Sequence, residues 1–327
     1  MASIRQRSGV WQAQVRRLGY PTEVKSFSSK TDAQAWARAI ESAMDQGTHQ
    51  NTHSAKNILL KDLLQRYMEE VTPTKRGAKR EAEGIQFMQR QKFAGYSMAT
   101  LTPAIIAKYR DERLKTVAAG TIIRELSILS GIISHARKEW GLPTANPCAL
   151  VRKPPTPQGR TRLLTADEEA RLIAELQPIR KRSPWMVPLV MLALETAMRR
   201  GELLSMRWEN VNLQAQTALL PLTKNGTARV VPLSKKAVAI LEALPNSETG
   251  PVFPISYMVV NNCFVDACKR AKITNLRFHD LRHTATSKLA ERLPNVIELA
   301  AVTGHQTIQM LKRYYHPKAE ALAQKLG

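Results

Sequence analysis

Pro143, Pro147, Pro154, Pro155 and Pro157 all stand between Leu142 and Arg162. Each removes a backbone donor and clashes with the turn before it, so no helix is expected to run through this stretch. Arg152, Lys153, Arg160 and Arg162 share it with no acid close by in sequence. An extended, basic strap between two folded parts is the expectation. At 327 residues the chain is long enough for the parts on both sides to bury cores of their own.

Before the strap, residues 10 to 18 alternate, with Trp11, Ala13 and Val15 on one face and Gln12, Gln14 and Arg16 on the other, the period of a half-buried strand. Ile4 to Arg7 and Val24 to Ser28 suit its partners, and Arg5 and Arg7 add to the polar face. Thr31-Asp32-Ala33-Gln34 opens a helix whose Ala33, Trp36, Ala37, Ile40 and Met44 form one stripe. Gly47 to Ala55 is a polar linker. From Asn57 to Trp140 apolar stripes such as Leu60, Leu64, Tyr67, Val71 and Ile122, Leu126, Leu129, Ile132, Ile133 predict four or five short helices. Lys75, Arg76, Lys79 and Arg80 cluster between the first two. After the strap, Thr165-Ala166-Asp167-Glu168 caps a new helix. The predicted fold is α+β and mostly α. Its expected parts are three strands plus a helix over 1–48, a helical bundle over 55–141, the strap over 142–162, and a mainly helical domain with a small antiparallel sheet over 163–327.

Lys plus Arg number 49 against 27 Asp plus Glu, a formal charge of +22. A polyanion is the natural partner of such a chain, the alternatives being a merely solvated basic surface or one that meets anionic lipid. No apolar run reaches membrane-spanning length, and Met1-Ala2-Ser3-Ile4-Arg5-Gln6-Arg7 lacks a signal peptide's apolar stretch, so a cytoplasmic protein with no membrane partner is expected. Cys148, Cys263 and Cys268 form no CxxC pair and are expected to be reduced.

Four segments carry side chains suited to phosphodiester chemistry: Thr196 to Leu203, Leu222 to Gly226, His279 to His283, and Thr303 to His316. Attack on a phosphodiester loads negative charge onto two non-bridging oxygens and leaves an alkoxide on the departing sugar. An arginine fork grips two oxygens and stays charged, which makes Arg199 and Arg282 the candidates for the first task. Arg199 should emerge from a nearly all-apolar helix, Trp185 to Met198, with Glu202 steadying it or a neighbour; Arg200 is expected to reach phosphate or solvent. Lys224 precedes Asn225-Gly226, a strong hairpin signal between Ala218–Leu222 and Ala228–Leu233. His279 and Arg282 are three apart on one helix and can face one site. His283 lies a turn beyond His279, but the fixed charge of Arg282 beside it argues against a metal there. Gly304 ends a helix and His305 follows. Tyr314 and Tyr315 compete as nucleophile, and neighbours on a helix point about 100° apart, so only one can address a phosphate. A phenol is mostly protonated at pH 7, so the nucleophile needs the arginines and a proton acceptor, His279 or His305.

This set, Arg199, Lys224, His279, Arg282, His305 and Tyr314, resembles the active site of the tyrosine recombinases, the phage-integrase family. The nine-residue step from His305 to Tyr314 and the Tyr-x-His ending with His316 match that family and favour Tyr314 as nucleophile. Ala197, where the family commonly has Gly, and Arg200, where it has a small or apolar residue, depart from it. The resemblance implies a 3′-phosphotyrosyl intermediate, Lys224 as the acid for the leaving 5′ oxygen, and no cofactor or metal. It further implies double-stranded DNA as substrate, a homotetramer on two recombination sites, and in some members an accessory DNA-bending protein. By the same resemblance the 1–48 module would be an arm-type DNA-binding domain reading the major groove through Arg5, Arg7, Gln12, Gln14 and Arg16. The bundle would be a core-binding domain in which Lys75, Arg76, Lys79 and Arg80, with Arg152 and Lys153 of the strap, anchor phosphates. The tail with Leu322 and Leu326 is similar to the segment that family members dock onto a neighbouring protomer. Ala193 to Arg199, Arg137 to Gly141 and Val151 to Pro154 also look like the shufflon-type DNA invertases, whereas the N-terminal sheet points to phage or genomic-island integrases. Integration, excision and inversion therefore all stay open. A regulator of the same fold without catalysis, and a type IB topoisomerase-like activity, are the rival readings.

Overall fold

The computed structural model describes residues 2–47, 57–179, 183–222, 228–245, 247–315 and 323, 324 and 326. The chain divides into two compact units, Met1–Gln158 and Gly159–Gly327.

The first unit holds two separate hydrophobic cores. Strands β1 (Ala2–Arg7), β2 (Val10–Val15) and β3 (Glu23–Phe27) form an antiparallel sheet in the order β1-β2-β3. Opposite residues share a face, so the register Ile4↔Ala13 and Trp11↔Phe27 gathers the apolar side chains toward helix α1 (Lys30–Asp45), where they meet Ala33, Ala37 and Met44. The same register, with Arg5↔Gln12, Ser3↔Gln14 and Arg7↔Val10, puts Arg5, Arg7, Gln12 and Gln14 together on the opposite face. Arg16 lies just beyond the end of β2.

Four helices follow: α2 (Leu60–Glu70), α3 (Ala78–Gln89), α4 (Pro103–Leu114) and α5 (Ala119–Glu139). Their apolar stripes enclose one core built on Leu60, Leu64, Ile85, Ile106, Leu126 and Ile133. Leu142, Cys148 and Val151 also pack into it. The prolines do not hold this part of the strap extended, because Pro147 opens a 3-10 turn, Pro147–Leu150, where its missing N–H costs nothing.

The second unit is helical around a three-stranded antiparallel sheet. Its helices are α6 (Ala166–Leu176), α7 (Met186–Thr196), α8 (Arg200–Leu204), α9 (Lys235–Glu242), α10 (Tyr257–Arg270), α11 (Phe278–Arg292), α12 (Val296–Thr303) and α13 (Ile308–Leu311). The sheet runs β4 (Val211–Asn212), β5 (Thr217–Leu220) and β6 (Arg229–Pro232). Helix α7 is apolar on nearly every face because it is the central element, packed by α9 and α11. Its Leu189 and Val190 are fully buried, each contributing about 1.5–3 kcal/mol of hydrophobic stabilisation. No described helix is long and apolar enough to cross a membrane.

Candidate active site

Helix α7 stops at Thr196 because Ala197 adopts the left-handed conformation, φ 52°, where glycine is the usual occupant. The helix is therefore shorter than the apolar run that encodes it, and the turn brings the next residues back across its end. Arg199 precedes α8, and its backbone N–H donates to Glu202 Oε2 at 2.9 Å. Its guanidinium donates to Glu202 Oε1 at 2.7 Å and to the Gly304 carbonyl at 3.2 Å. Glu202 is only 5% exposed. Burial alone would raise its carboxyl, yet the Arg199 N–H and the guanidinium groups of Arg229 and Arg199 hold it below its ordinary value.

Arg282, on α11, is 4% exposed. It donates to the carbonyls of Ala197 at 2.5 Å and Thr303 at 2.7 Å, joining the turn after α7 to the end of α12. Burial and the nearby Arg199 push its guanidinium down to about 10, still charged at neutral pH. Arg229, the first residue of β6, supplies a third guanidinium. It donates to Glu202 Oε2 at 2.9 Å and to the Val302 carbonyl at 2.7 Å. Three buried or half-buried cations thus crowd around one carboxylate, and the excess positive charge suits the cluster to an anion.

Gly304 closes α12 with φ 70°, and the Arg229 guanidinium lies against it: a Cβ there would meet Nη1 at 2.8 Å and Cζ at 2.9 Å. Only glycine satisfies both the backbone and the approach. The neighbouring His305 has its tautomer set by a chain of bonds. Thr303 Oγ1 donates to the Leu299 carbonyl at 2.6 Å and so accepts from His305 Nδ1, also at 2.6 Å, which leaves Nε2 to accept from Arg282 at 3.4 Å. Burial, followed by Arg282, pushes the His305 imidazole down to about 3. His279 is pushed down to about 4 by burial and then by His283 and Arg282. Both rings are neutral at pH 7.

Tyr314 ends a 3-10 turn, Lys312–Tyr314, rather than lying on an α-helix, so successive side chains diverge by roughly 120° rather than 100°. Its ring lies 6.1 Å from that of His305, and its hydroxyl is hydrogen-bonded to His283 Nδ1. Burial raises the Tyr314 phenol, with Arg313 and Arg282 opposing. Tyr315 turns elsewhere and donates its hydroxyl to the Leu293 carbonyl.

The fold therefore gathers Arg199, His279, Arg282, His305 and Tyr314 into one cluster from segments more than 100 residues apart. Lys224, with the Asn225-Gly226 turn, lies outside the described residues, as do His316 and Leu322. Arg200 stacks over Tyr257 at 3.6 Å and bonds to that hydroxyl and to Asn261 on the exposed side of α10, an aromatic partner that the sequence did not suggest. Two participants are missed by sequence reasoning. Arg229 carries no motif and enters only through the pairing Leu220↔Arg229. His283 is legible as one turn on from His279, but no sequence signal ties it to Tyr314; among the described residues no group of His, Cys, Asp or Glu is arranged to hold a metal.

The remaining basic candidates are placed less uniformly. Arg5 and Gln14 bond to each other at 3.3 Å on the open sheet face. Lys75 is drawn onto Tyr67 and Glu81, at 2.7 and 2.8 Å, which occupies its ammonium. Lys79 and Arg80 are exposed on the first turn of α3, and Arg76 on the loop before it. Arg152 and Lys153 are exposed, Lys153 touching Ser127 Oγ at 3.1 Å. Arg160 finds its acid across the fold, forking onto Asp280 at 3.0 and 2.7 Å, whereas Arg162 pairs with Glu168 only six residues on.

The chain is similar to known proteins over most of its length. Residues 162–321 match the phage integrase family. The chain is 39% identical to a shufflon-specific DNA recombinase of Escherichia coli, over 83% of this chain and 72% of that one. It is 34% identical to a Haemophilus influenzae protein described as an integrase/recombinase, over 100% of this chain and 91% of that one. Among solved structures, a Tn1549 transposon integrase in complex with transposon right end DNA superposes with a TM-score of 0.68 at 15% identity, covering 82% of this chain and 98% of that one. A lambda integrase tetramer bound to a Holliday junction gives 0.66 at 20% identity, covering 96% and 94%.

Proposed function

The chain belongs to the phage integrase family and is a tyrosine-type site-specific recombinase, and from that premise we propose that it cuts and rejoins double-stranded DNA through a 3′-phosphotyrosyl link on Tyr314. The observation that carries the reading is the convergence of Tyr314 with His305 and Arg282, beside Arg199, in a cluster with excess positive charge. A scissile phosphate seated there would place its non-bridging oxygens against Arg199 and Arg282, where the charge of the transition state develops. Because both guanidinium groups are already fixed by carbonyls and Glu202, little reorganisation is needed as that charge grows.

The Tyr314 oxygen attacks phosphorus, its proton passes to an imidazole, and the bond to the 5′ oxygen breaks. Lys224 supplies the proton to that oxygen. The covalent link conserves the energy of the broken bond, so a 5′ hydroxyl of the partner duplex can reverse the step without nucleotide hydrolysis. Strand exchange between two sites calls for four protomers, a reading supported by the likeness to the lambda tetramer. The open sheet face with Arg5, Arg7, Gln12 and Gln14 suits major-groove readout, since Arg and Gln make paired bonds to guanine and adenine edges.

The test is a nicked half-site duplex that traps the covalent product. Wild type and Tyr315→Phe should form a detergent-stable adduct in EDTA, and Tyr314→Phe none. No adduct from wild type would favour a non-catalytic regulator, and adduct with relaxation of DNA carrying a single site would favour a topoisomerase-like role.

A further inference from the structure

His283 and His305 lie against Tyr314 and His279 lies against His283, and the hydrogen bonds of the three rings are not equivalent. His305 commits Nδ1–H to Thr303 and its Nε2 lone pair to Arg282. His279 meets His283 edge to face, with ring centroids 5.2 Å apart, and makes no hydrogen bond to Tyr314 among the described residues. His283 alone among the described residues bonds to the Tyr314 hydroxyl, through Nδ1, with the two rings stacked at 5.9 Å and 29°. Helix α11 explains the placement: His279 and His283 lie one turn apart on one face, and Arg282 between them turns inward to the Ala197 and Thr303 carbonyls.

We propose that His283 is the group that takes the phenolic proton from Tyr314, a reading that rests on Tyr314 being the nucleophile. In the step, the Tyr314 O–H bond breaks and its proton moves to His283 Nδ1 as the new O–P bond forms. The P–O bond to the 5′ oxygen breaks, and that oxygen receives its proton from Lys224, the acid of the proposed reaction. When the 5′ hydroxyl of the partner strand attacks, His283 returns its proton to the departing phenolate. One proton thus shuttles between His283 and Tyr314, and no outside base enters.

The charges facing His283 suit an acceptor. On its own helix stand Asp280, His279 and Arg282; Arg160 approaches from the strap, and Arg313 and Tyr314 from the 3-10 turn. Burial lowers the imidazole from its ordinary value, Asp280 opposes, and Arg313 adds to the lowering, so the ring is neutral and able to accept at pH 7. A bound phosphate would add the negative charge that favours the imidazolium once formed.

Single-turnover adduct formation on the nicked half-site, followed from pH 5 to 9, tests the assignment. Wild type should lose rate on the acid side as His283 becomes protonated. His283→Ala and His283→Asn should each slow the adduct by about 10²-fold or more and abolish that acid limb, with duplex affinity changed less than about threefold. Asn can still hydrogen-bond the phenol but cannot accept a proton at these pH values. His283→Asn at near wild-type rate with the acid limb intact would reduce His283 to a support for the ring and overturn the proposal. Imidazole carbon resonances of wild type and Tyr314→Phe give a readout that requires no His283 variant to fold: the His283 titration should move, and its staying put would equally overturn the proposal. Adduct formed by Tyr314→Phe would instead remove the nucleophile itself and, with it, this role for His283.

Discussion

Gly304→Ala offers a sharp test of how the arginine cluster is assembled, because two costs meet at one Cβ. The backbone at φ 70° lies in the left-handed region, and the added carbon would sit 2.8 Å from Arg229 Nη1 and 2.9 Å from Cζ. Gly141 provides the control: it closes α5 at φ 64° with nothing within 4 Å of its virtual Cβ, so Gly141→Ala isolates backbone strain, about 1–2 kcal/mol. At Gly304 the Arg229 guanidinium cannot yield freely, since it is held by Glu202 and the Val302 carbonyl. Displacing it loses at least one hydrogen bond of a charged group, about 1.5–3 kcal/mol, which brings the total for Gly304→Ala to roughly 2.5–5 kcal/mol. Urea unfolding followed by circular dichroism, with each unit's transition fitted separately, measures both variants. Cleavage should fall as well, because Arg199 donates to the Gly304 carbonyl. If Gly304→Ala costs no more than Gly141→Ala and cleaves normally, Arg229 is not confined as described and the account of the cluster is wrong.

Arg282→Lys should reduce half-site cleavage by about 10²-fold or more while leaving duplex binding largely intact, because one ammonium cannot span both the Ala197 and Thr303 carbonyls and still face a phosphate; parallel cleavage and gel-shift titrations check it. Burial would raise the Asp280 carboxyl, but the Arg160 fork and the Arg277 N–H hold it below its ordinary value. That stabilisation is complete above the unfolded carboxyl's pKa of about 4 and is lost as pH falls through the lower folded value, so Arg160→Gln should make acid unfolding begin at a higher pH, read by circular dichroism. A chain starting at residue 57 removes a module with its own core, and should still cleave a core site but lose footprints at flanking sites on a long attachment fragment; unchanged footprints would mean that the sheet contacts protein instead.

Where a residue's role depends on near neighbours, the sequence alone was enough. Alternation of Trp11, Ala13 and Val15 against Gln12 and Gln14 follows from the two-residue strand period, and the sheet adopts the same faces. The helix period likewise put His279 and Arg282 on one surface, whereas the preference for Tyr314 over Tyr315 came from the resemblance to the phage-integrase family. Tertiary structure decided everything that spans distant segments. Arg160 reaches an acid 120 positions away, Arg199 a carbonyl 105 away, and His283 a hydroxyl 31 away. Arg229 enters the cluster through strand pairing, and Arg200 finds an aromatic ring 57 positions away. Local periodicity is set by backbone geometry and is written into any short window of sequence. Which charges pair across the fold depends on how α7, α11 and α12 pack, and only packing determines which partners come within hydrogen-bonding reach.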